Sequence, residues 1–178
     1  MSFILRTAEL ADIPTLKDLI TESVIALQAD DYSEAQRRAA LGTVFGVDTQ
    51  LIMDQTYFVV ETSGEIVACG GWSFRKTLYG ADALAGREDN RLDPAVDAAR
   101  IRAFFVKPGW TRRGLGGQIL KACEAAATTA GFRRFELGAT LTGIPLYRAY
   151  GYEPIETTEA QMAGGLSLAI VRMGKNGG

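Results

Sequence analysis

The apolar segment Ile101-Arg102-Ala103-Phe104-Phe105-Val106 runs through Lys107 and Pro108 into Thr111-Arg112-Arg113-Gly114-Leu115-Gly116-Gly117. That turn opens a helical pattern with Leu115, Ile119, Ala122, Cys123, Ala126 and Ala130 on its apolar face, closed at Gly131. A strand delivered directly into a glycine-rich helix start commits the chain to mixed α/β architecture. It also presents unpaired amides and the positive end of the helix dipole to one point. Glycine allows close backbone approach there, and an anion, typically a phosphate, is the expected occupant. Arg112, Arg113 and Lys107 add formal positive charge.

Two familiar phosphate motifs fail to match. A P-loop requires G-x-x-x-x-G-K-[ST], and the chain contains none. The dinucleotide fingerprint G-x-G-x-x-G begins at Gly114 and Gly116 but meets Ile119 at its third glycine, and no βαβ series opens the chain. Spacing alone therefore leaves a pyrophosphate site of another kind, or a glycine-rich connection with solvated arginines.

Composition removes several function classes. The 178 residues fit one domain, and the net charge of −2 argues against a general nucleic-acid binder. Histidine is absent, which excludes a Ser-His-Asp triad, a Cys-His dyad and any His-containing zinc site, and no metal is expected. Cys69 and Cys123 form no C-x-x-C pair and read as buried thiols of a reducing compartment. No signal-peptide pattern opens the chain, and no apolar run approaches the ~18 residues that span a bilayer. A protein without membrane attachment, cytoplasmic in location, is expected.

Along the chain, Phe3 to Thr7 reads as a strand, and Asp12 is placed to cap a helix carrying Ile13, Leu16, Leu19, Ile20, Val24 and Leu27. Ser33 caps a second helix to Leu41, and 50–55 reads as a further helical turn. Tyr57–Glu61 and Ile66–Cys69 form a hairpin about Thr62-Ser63-Gly64-Glu65. The polar stretch 74–97 exceeds the ~12–15 residues usual for a structureless loop, so it reads as functional, disordered or concealing a helix. The central strand follows, starting at Asp97 or Ala98. By alternation Arg100, Arg102 and Phe104 share one of its faces. After the turn and its helix come a strand at 135–140 and a short helix capped by Thr142 and stopped by Gly151. Strands at 152–156 and 166–173 precede a loose tail, 174–178. The order β-α-α-β-β-β-α-β-α-β-β predicts a layered α/β fold, a mixed, mostly antiparallel sheet flanked by helices.

Val106-Lys107-Pro108-Gly109-Trp110-Thr111-Arg112-Arg113-Gly114-Leu115-Gly116-Gly117 resembles the signature of the GNAT superfamily of N-acetyltransferases, Q/R-x-x-G-x-G/A after a strand ending in Val-x-Pro. Leu5-Arg6-Thr7-Ala8, Glu65-Ile66-Val67-Ala68-Cys69-Gly70-Gly71 and Leu146-Tyr147-Arg148-Ala149-Tyr150-Gly151-Tyr152 are similar to other segments of that family, in the same order. Thr111 departs from the usual Gln/Arg. The resemblance implies one GNAT-like domain over 1–178 with acetyl-CoA as co-substrate. Backbone amides of Arg112, Arg113, Gly114, Leu115, Gly116 and Gly117 would hold the coenzyme A pyrophosphate. Phe104, Phe105 and Val106 would pair with the pantetheine arm where the central strands splay apart. Dimerisation through the late strands is common in the family, so a homodimer is admitted.

Acyl transfer to an amine needs a neutral nucleophile and a proton for the departing thiolate. Tyr147, which matches the family's tyrosine, is the expected acid, with Tyr150 and Tyr152 read as core. Glu136 and Asp97 are the candidate bases, each read more readily as a surface or salt-bridged group, and none is assigned. The acceptor, a small-molecule or peptide amine, would meet the early helices and 74–97. Trp72 and Tyr79 are candidate lining or packing residues. Arg75, Lys76, Arg87 and Arg91 mingle there with Asp82, Glu88, Asp89, Asp93 and Asp97, which points to neither a strongly acidic nor a strongly basic acceptor. A silent acyl-CoA-binding sensor is the alternative from another class.

Overall fold

The computed structural model describes residues 1–177. Seven strands form one sheet: β1 (Ile4–Thr7), β2 (Tyr57–Thr62), β3 (Glu65–Ser73), β4 (Ala99–Val106), β5 (Arg134–Thr140), β6 (Glu153–Gln161) and β7 (Ser167–Asn176). Their order is β1-β2-β3-β4-β5-β7-β6, and every neighbouring pair is antiparallel except β4 and β5. Five helices cover the sheet: α1 (Ile13–Leu27), α2 (Glu34–Ala40), α3 (Thr49–Met53), α4 (Leu115–Thr129) and α5 (Ile144–Ala149). The expected mixed, mostly antiparallel sheet with flanking helices is present.

Apolar periodicity divides into two cores. One joins Leu16, Leu19, Ile20 and Val24 of α1 to Tyr57, Val59, Cys69, Phe105, Leu168 and Ile170. The other joins Leu115, Ile119, Leu120, Cys123 and Ala127 of α4 to Val60, Val67, Ala68, Ile101, Leu137 and Met173. Alternating residues of β2, β3 and β7 thus feed opposite layers, as a sheet covered on both faces requires. Both cysteines are buried and unpaired. Leu120 and Ala127 complete the buried face of α4, while Ala130 at its end is exposed.

Several local expectations are corrected. Asp12 makes no side-chain cap on α1; its carboxylate accepts from the Glu9 amide and from Arg6, because Arg6 stands beside it on β1. Ser33 does cap α2, in a reciprocal box with Gln36. Gly143, not Thr142, caps α5, since the Thr142 hydroxyl donates to Asp31 instead. The expected loose tail is strand as far as Asn176: Gly174, Lys175 and Asn176 pair with Glu136, Phe135 and Arg134, and the Gly177 amide donates to Arg133 at 2.6 Å. Cross-strand pairing outweighed the local preference of Gly-Lys-Asn-Gly for a free end. Gly178 lies outside the described residues.

Candidate active-site cleft

β4 and β5 pair only at Ala99–Phe135 and Arg100–Glu136. Beyond that point the β5-facing edge of β4 has no strand partner, and a cavity of about 130 Å³ opens between the two strands. Phe104, Phe105 and Val106 line it from β4, Gly138 and Thr140 from β5, and Leu146 and Tyr147 from α5. The far wall comes from Val44, Phe45, Leu78 and Tyr79.

A bulge shapes the β4 wall. The register against β3 shifts between Cys69 and Gly71, and Ala103 takes the left-handed region at φ 56°. A non-glycine residue there costs about 1–2 kcal/mol. The Tyr57 hydroxyl, donating to the Ala103 carbonyl at 2.7 Å, helps hold it. The extra residue overturns simple alternation. Arg102 bonds Asp48 and the Gly80 carbonyl, whereas Phe104 packs with the opposite core beside Tyr147. The expectation that Arg100, Arg102 and Phe104 share a face therefore fails at Phe104. Gly70 makes room for this shift, since a Cβ there would meet the Phe104 ring at 2.6 Å.

The turn into α4 has the conformation its glycines suggested. Gly109, Arg112 and Gly114 have φ of 88°, 58° and 77°. Gly114 is the N-cap and offers no side-chain cap, so the first amides of α4 lack an intrahelical acceptor and face outward. Arg112 and Arg113 are exposed, and Arg113 stacks over Trp110 at 4.8 Å. Lys107 is engaged by Glu65 and contributes no free charge to the turn. Of the turn residues only Gly116 lines the cavity, while Leu115 is buried in the α4 core. Gly117 serves contact with α5: a Cβ there would stand 1.9 Å from the Tyr150 hydroxyl.

Tyr147 is 8% exposed, with its ring edge-on to Phe104 and Tyr152. Burial raises its phenol well above the usual tyrosine range, so it stays protonated at physiological pH. Among the described residues its hydroxyl has no hydrogen-bond partner. Tyr152 packs in the core with its hydroxyl on Glu124 at 3.3 Å, and Tyr150 covers Gly117. Neither candidate base reaches the cavity. Glu136 is held at 3.0 Å by both Arg100 and Arg172, and Asp97 accepts the Asp93 amide at 2.7 Å.

The segment 74–97 contains neither helix nor strand beyond one Arg75–Arg91 bridge, yet it is tied down along its length. Lys76 and Thr77 donate backbone amides to Asn90 and Glu88. Asp48, 3% exposed, accepts from Arg102 at 2.8 Å and from Arg87 at 3.0 Å, and Asp82 accepts from Thr49 at 2.6 and 2.7 Å. Trp72 packs against Phe74 and Phe132, away from the cavity, and Tyr79 lines it. Sequence reasoning missed Asp48, whose only sequence signal is its place before the short α3, and the Val44–Phe45 wall.

A sheet that parts beside an uncapped helix start, with a tyrosine in the opening, defines the class of GCN5-related acetyltransferase folds. Solved structures bear this out across nearly the whole chain. A GCN5-related N-acetyltransferase from Rhodopseudomonas palustris superposes with a TM-score of 0.73 at 19% identity, covering 99% of this chain and 96% of that one. The PaiA N-acetyltransferase from Thermoplasma acidophilum, solved with coenzyme A, gives 0.68 at 14% identity, with 99% of each chain covered. A phosphinothricin acetyltransferase from Sinorhizobium meliloti, solved with acetyl-CoA, gives 0.65 at 20%, covering 100% and 90%. No curated protein sequence matches the chain. The family model for the acetyltransferase (GNAT) domain matches residues 53–154, more than half of the sequence, and the chain belongs to that family. No helix among the described residues is long and apolar enough to cross a membrane.

Proposed function

We propose that the protein is an acetyl-CoA-dependent N-acetyltransferase, in which an amine attacks the thioester directly within a ternary complex. The parting of β4 from β5 after Arg100, with Tyr147 in the gap and the α4 amides at its lip, carries this reading. The backbone of Arg112 to Gly117 would receive the pyrophosphate, where the uncapped amides and the dipole favour negative charge. The unpaired edge of Phe104, Phe105 and Val106 would hydrogen-bond the pantetheine amides as a missing strand would. The coenzyme A and acetyl-CoA named in the solved complexes support the same donor.

Tyr147 would donate its hydrogen bond to the sulfur as the C–S bond breaks. A phenol raised by burial is a weaker acid than a thiol. It therefore cannot retain the negative charge, and the proton it gives must be replaced in the same step by the one the attacking nitrogen loses. Thiol release measured with acetyl-CoA and an amine panel tests the activity. Tyr147→Phe should lower kcat by about 10²–10⁴ with acetyl-CoA affinity preserved, the range typical of a positioned acid. An unchanged kcat, with chemistry limiting, would remove Tyr147 from this role. The absence of any carboxylate among the cavity's lining residues favours one second reading, an acyl-CoA-binding module without turnover. That reading predicts acetyl-CoA binding and no thiol release with any amine.

A further inference from the structure

The cavity is shared between the two cores. Ile101, Phe104, Val106, Leu146 and Tyr147 belong to or pack on the α4–α5 core, whereas Val44, Phe45, Tyr79 and Ile170 belong to or pack on the α1–α2 core. With the acyl donor entering from α4, the second half receives the acceptor. That half is walled by Val44, Phe45, Leu78, Tyr79, Gly80 and Ile170, of which only Tyr79 carries a hydroxyl.

No Asp, Glu, Lys or Arg lines the cavity. The carboxylate behind the Gly80 wall, Asp48, is already shared by two guanidinium groups: Arg102 bonds both Asp48 and the Gly80 carbonyl, and Arg87 bonds Asp48. Arg87 also reaches the exposed Asp89 at 3.5 Å, so the cluster is close to neutral and Asp48 has no charge to spare for a ligand. Asp82, in the neighbouring groove that shares Phe45 and Gly46, is occupied by the Thr49 amide and hydroxyl. An ammonium entering here would lose its water and find no carboxylate among the lining residues, since Glu88, in the adjoining groove that shares Leu78 and Tyr79, stands exposed to solvent.

We propose that the acceptor is a weakly basic amine on an apolar body, uncharged at neutral pH, as an aromatic amine is. Polyamines, free amino acids and lysine side chains are the disfavoured classes. The proposal rests on the acyltransferase reading and deepens it. The proton inventory agrees. For a neutral amine the C–N bond forms, the C–S bond breaks, and the proton lost by nitrogen ends on sulfur by way of Tyr147. Atoms and charge balance with no external base. An alkylammonium must first shed one more proton, and nothing in the cavity accepts it; free in water at neutral pH only about 1 in 10³ of such an amine is neutral.

The test compares p-toluidine, spermidine and a lysine-containing peptide, with acetyl-CoA binding measured separately by calorimetry. At pH 7.4 kcat/KM for p-toluidine should exceed that of either charged amine by about tenfold or more, given their unequal neutral fractions. Leu78→Glu places a carboxylate on a partly exposed wall position and should shift the ratio toward spermidine by about fivefold or more, the effect of pairing a cation near the surface. Folding of this variant is checked by circular dichroism and retained acetyl-CoA affinity. Faster turnover of spermidine or the peptide by the unaltered protein overturns the acceptor assignment and leaves the acyltransferase reading standing. A folded Leu78→Glu protein with unchanged preference also overturns it. Acetyl-CoA binding with no turnover of any amine overturns both.

Discussion

The turn from Lys107 to Gly117 and the segment from Phe74 to Asp97 border the same cavity and keep their shapes by different means. The turn relies on its own backbone: three residues at positive φ, an uncapped helix start, and exposed Arg112 and Arg113. The segment has almost no regular structure and is held by side chains distant in sequence, above all Asp48 with Arg87 and Arg102. A main-chain device tolerates side-chain change wherever φ and space permit. A buried ionic device fails when a single partner is lost.

The largest effect expected is on the ionic side. Asp48→Ala leaves Arg102, 3% exposed, without its carboxylate and should cost about 3–5 kcal/mol in urea unfolding, as loss of one partner of a buried pair does. A loss below about 1 kcal/mol would mean that the segment does not depend on this pair. Next comes Gly117→Ala. The added methyl collides with the Tyr150 hydroxyl and displaces that ring, which follows directly on α5 and Tyr147; about 1–3 kcal/mol of stability should go, with a fall in kcat if the displacement reaches Tyr147. Gly114→Ala meets nothing within 4 Å, so only its φ of 77° is strained, and about 1–2 kcal/mol is expected. If Gly114→Ala proved costlier than Gly117→Ala, the turn would depend on conformation more than on contact with α5. Replacing Arg112 and Arg113 together by Ala should weaken acetyl-CoA binding by about 1 kcal/mol per charge or less, more at low salt than at high, since both are exposed.

Acid should separate the two regions as well. Burial alone would raise the Asp54 carboxyl, but the Arg75 guanidinium and the Gln50 amide outweigh it and hold it below the usual range. A depressed carboxyl contributes stability fully present above its unfolded value of about 3.9 and lost as pH falls through the folded value. Asp54 ties Arg75 at the start of the segment, whereas the turn's ion pair, Lys107 with Glu65, is the more exposed of the two. Below about pH 4, proteolysis should therefore open 74–92 before it opens 107–117. Smallest of all, Ala103→Gly relieves the bulge and should change stability by less than about 1 kcal/mol.

The glycine-rich turn was legible in sequence because its requirements are local. Glycines at left-handed positions, a preceding apolar strand and a following amphipathic helix all lie within thirty residues or so of one another. The helices and strands followed from period and caps for the same reason. Ser33 with Gln36 shows a local rule obeyed, and Asp12 and Thr142 show local rules displaced by partners brought in from elsewhere, Arg6 and Asp31. Ala103 in the left-handed region carried no signal, because alanine does not mark a bulge and the position is secured by Tyr57 from another strand. The segment 74–97 looked like an undecided mixture of charges for a similar reason. Its order depends on Asp48, and which arginines that carboxylate meets is settled only when β4 docks.

By itself the sequence determined the layered α/β class, the glycine-rich start of α4 and the position of the tyrosine that follows it. Each depends on periodicity or on backbone freedom within one stretch of chain. The tertiary structure alone decided how far β4 and β5 part, which way Phe104 turns at the bulge, and that no charged side chain lines the cleft beside Val44, Phe45 and Tyr79. Those outcomes arise from pairing between strands and from burial of ions, and both are properties of residues that meet only after the chain has folded.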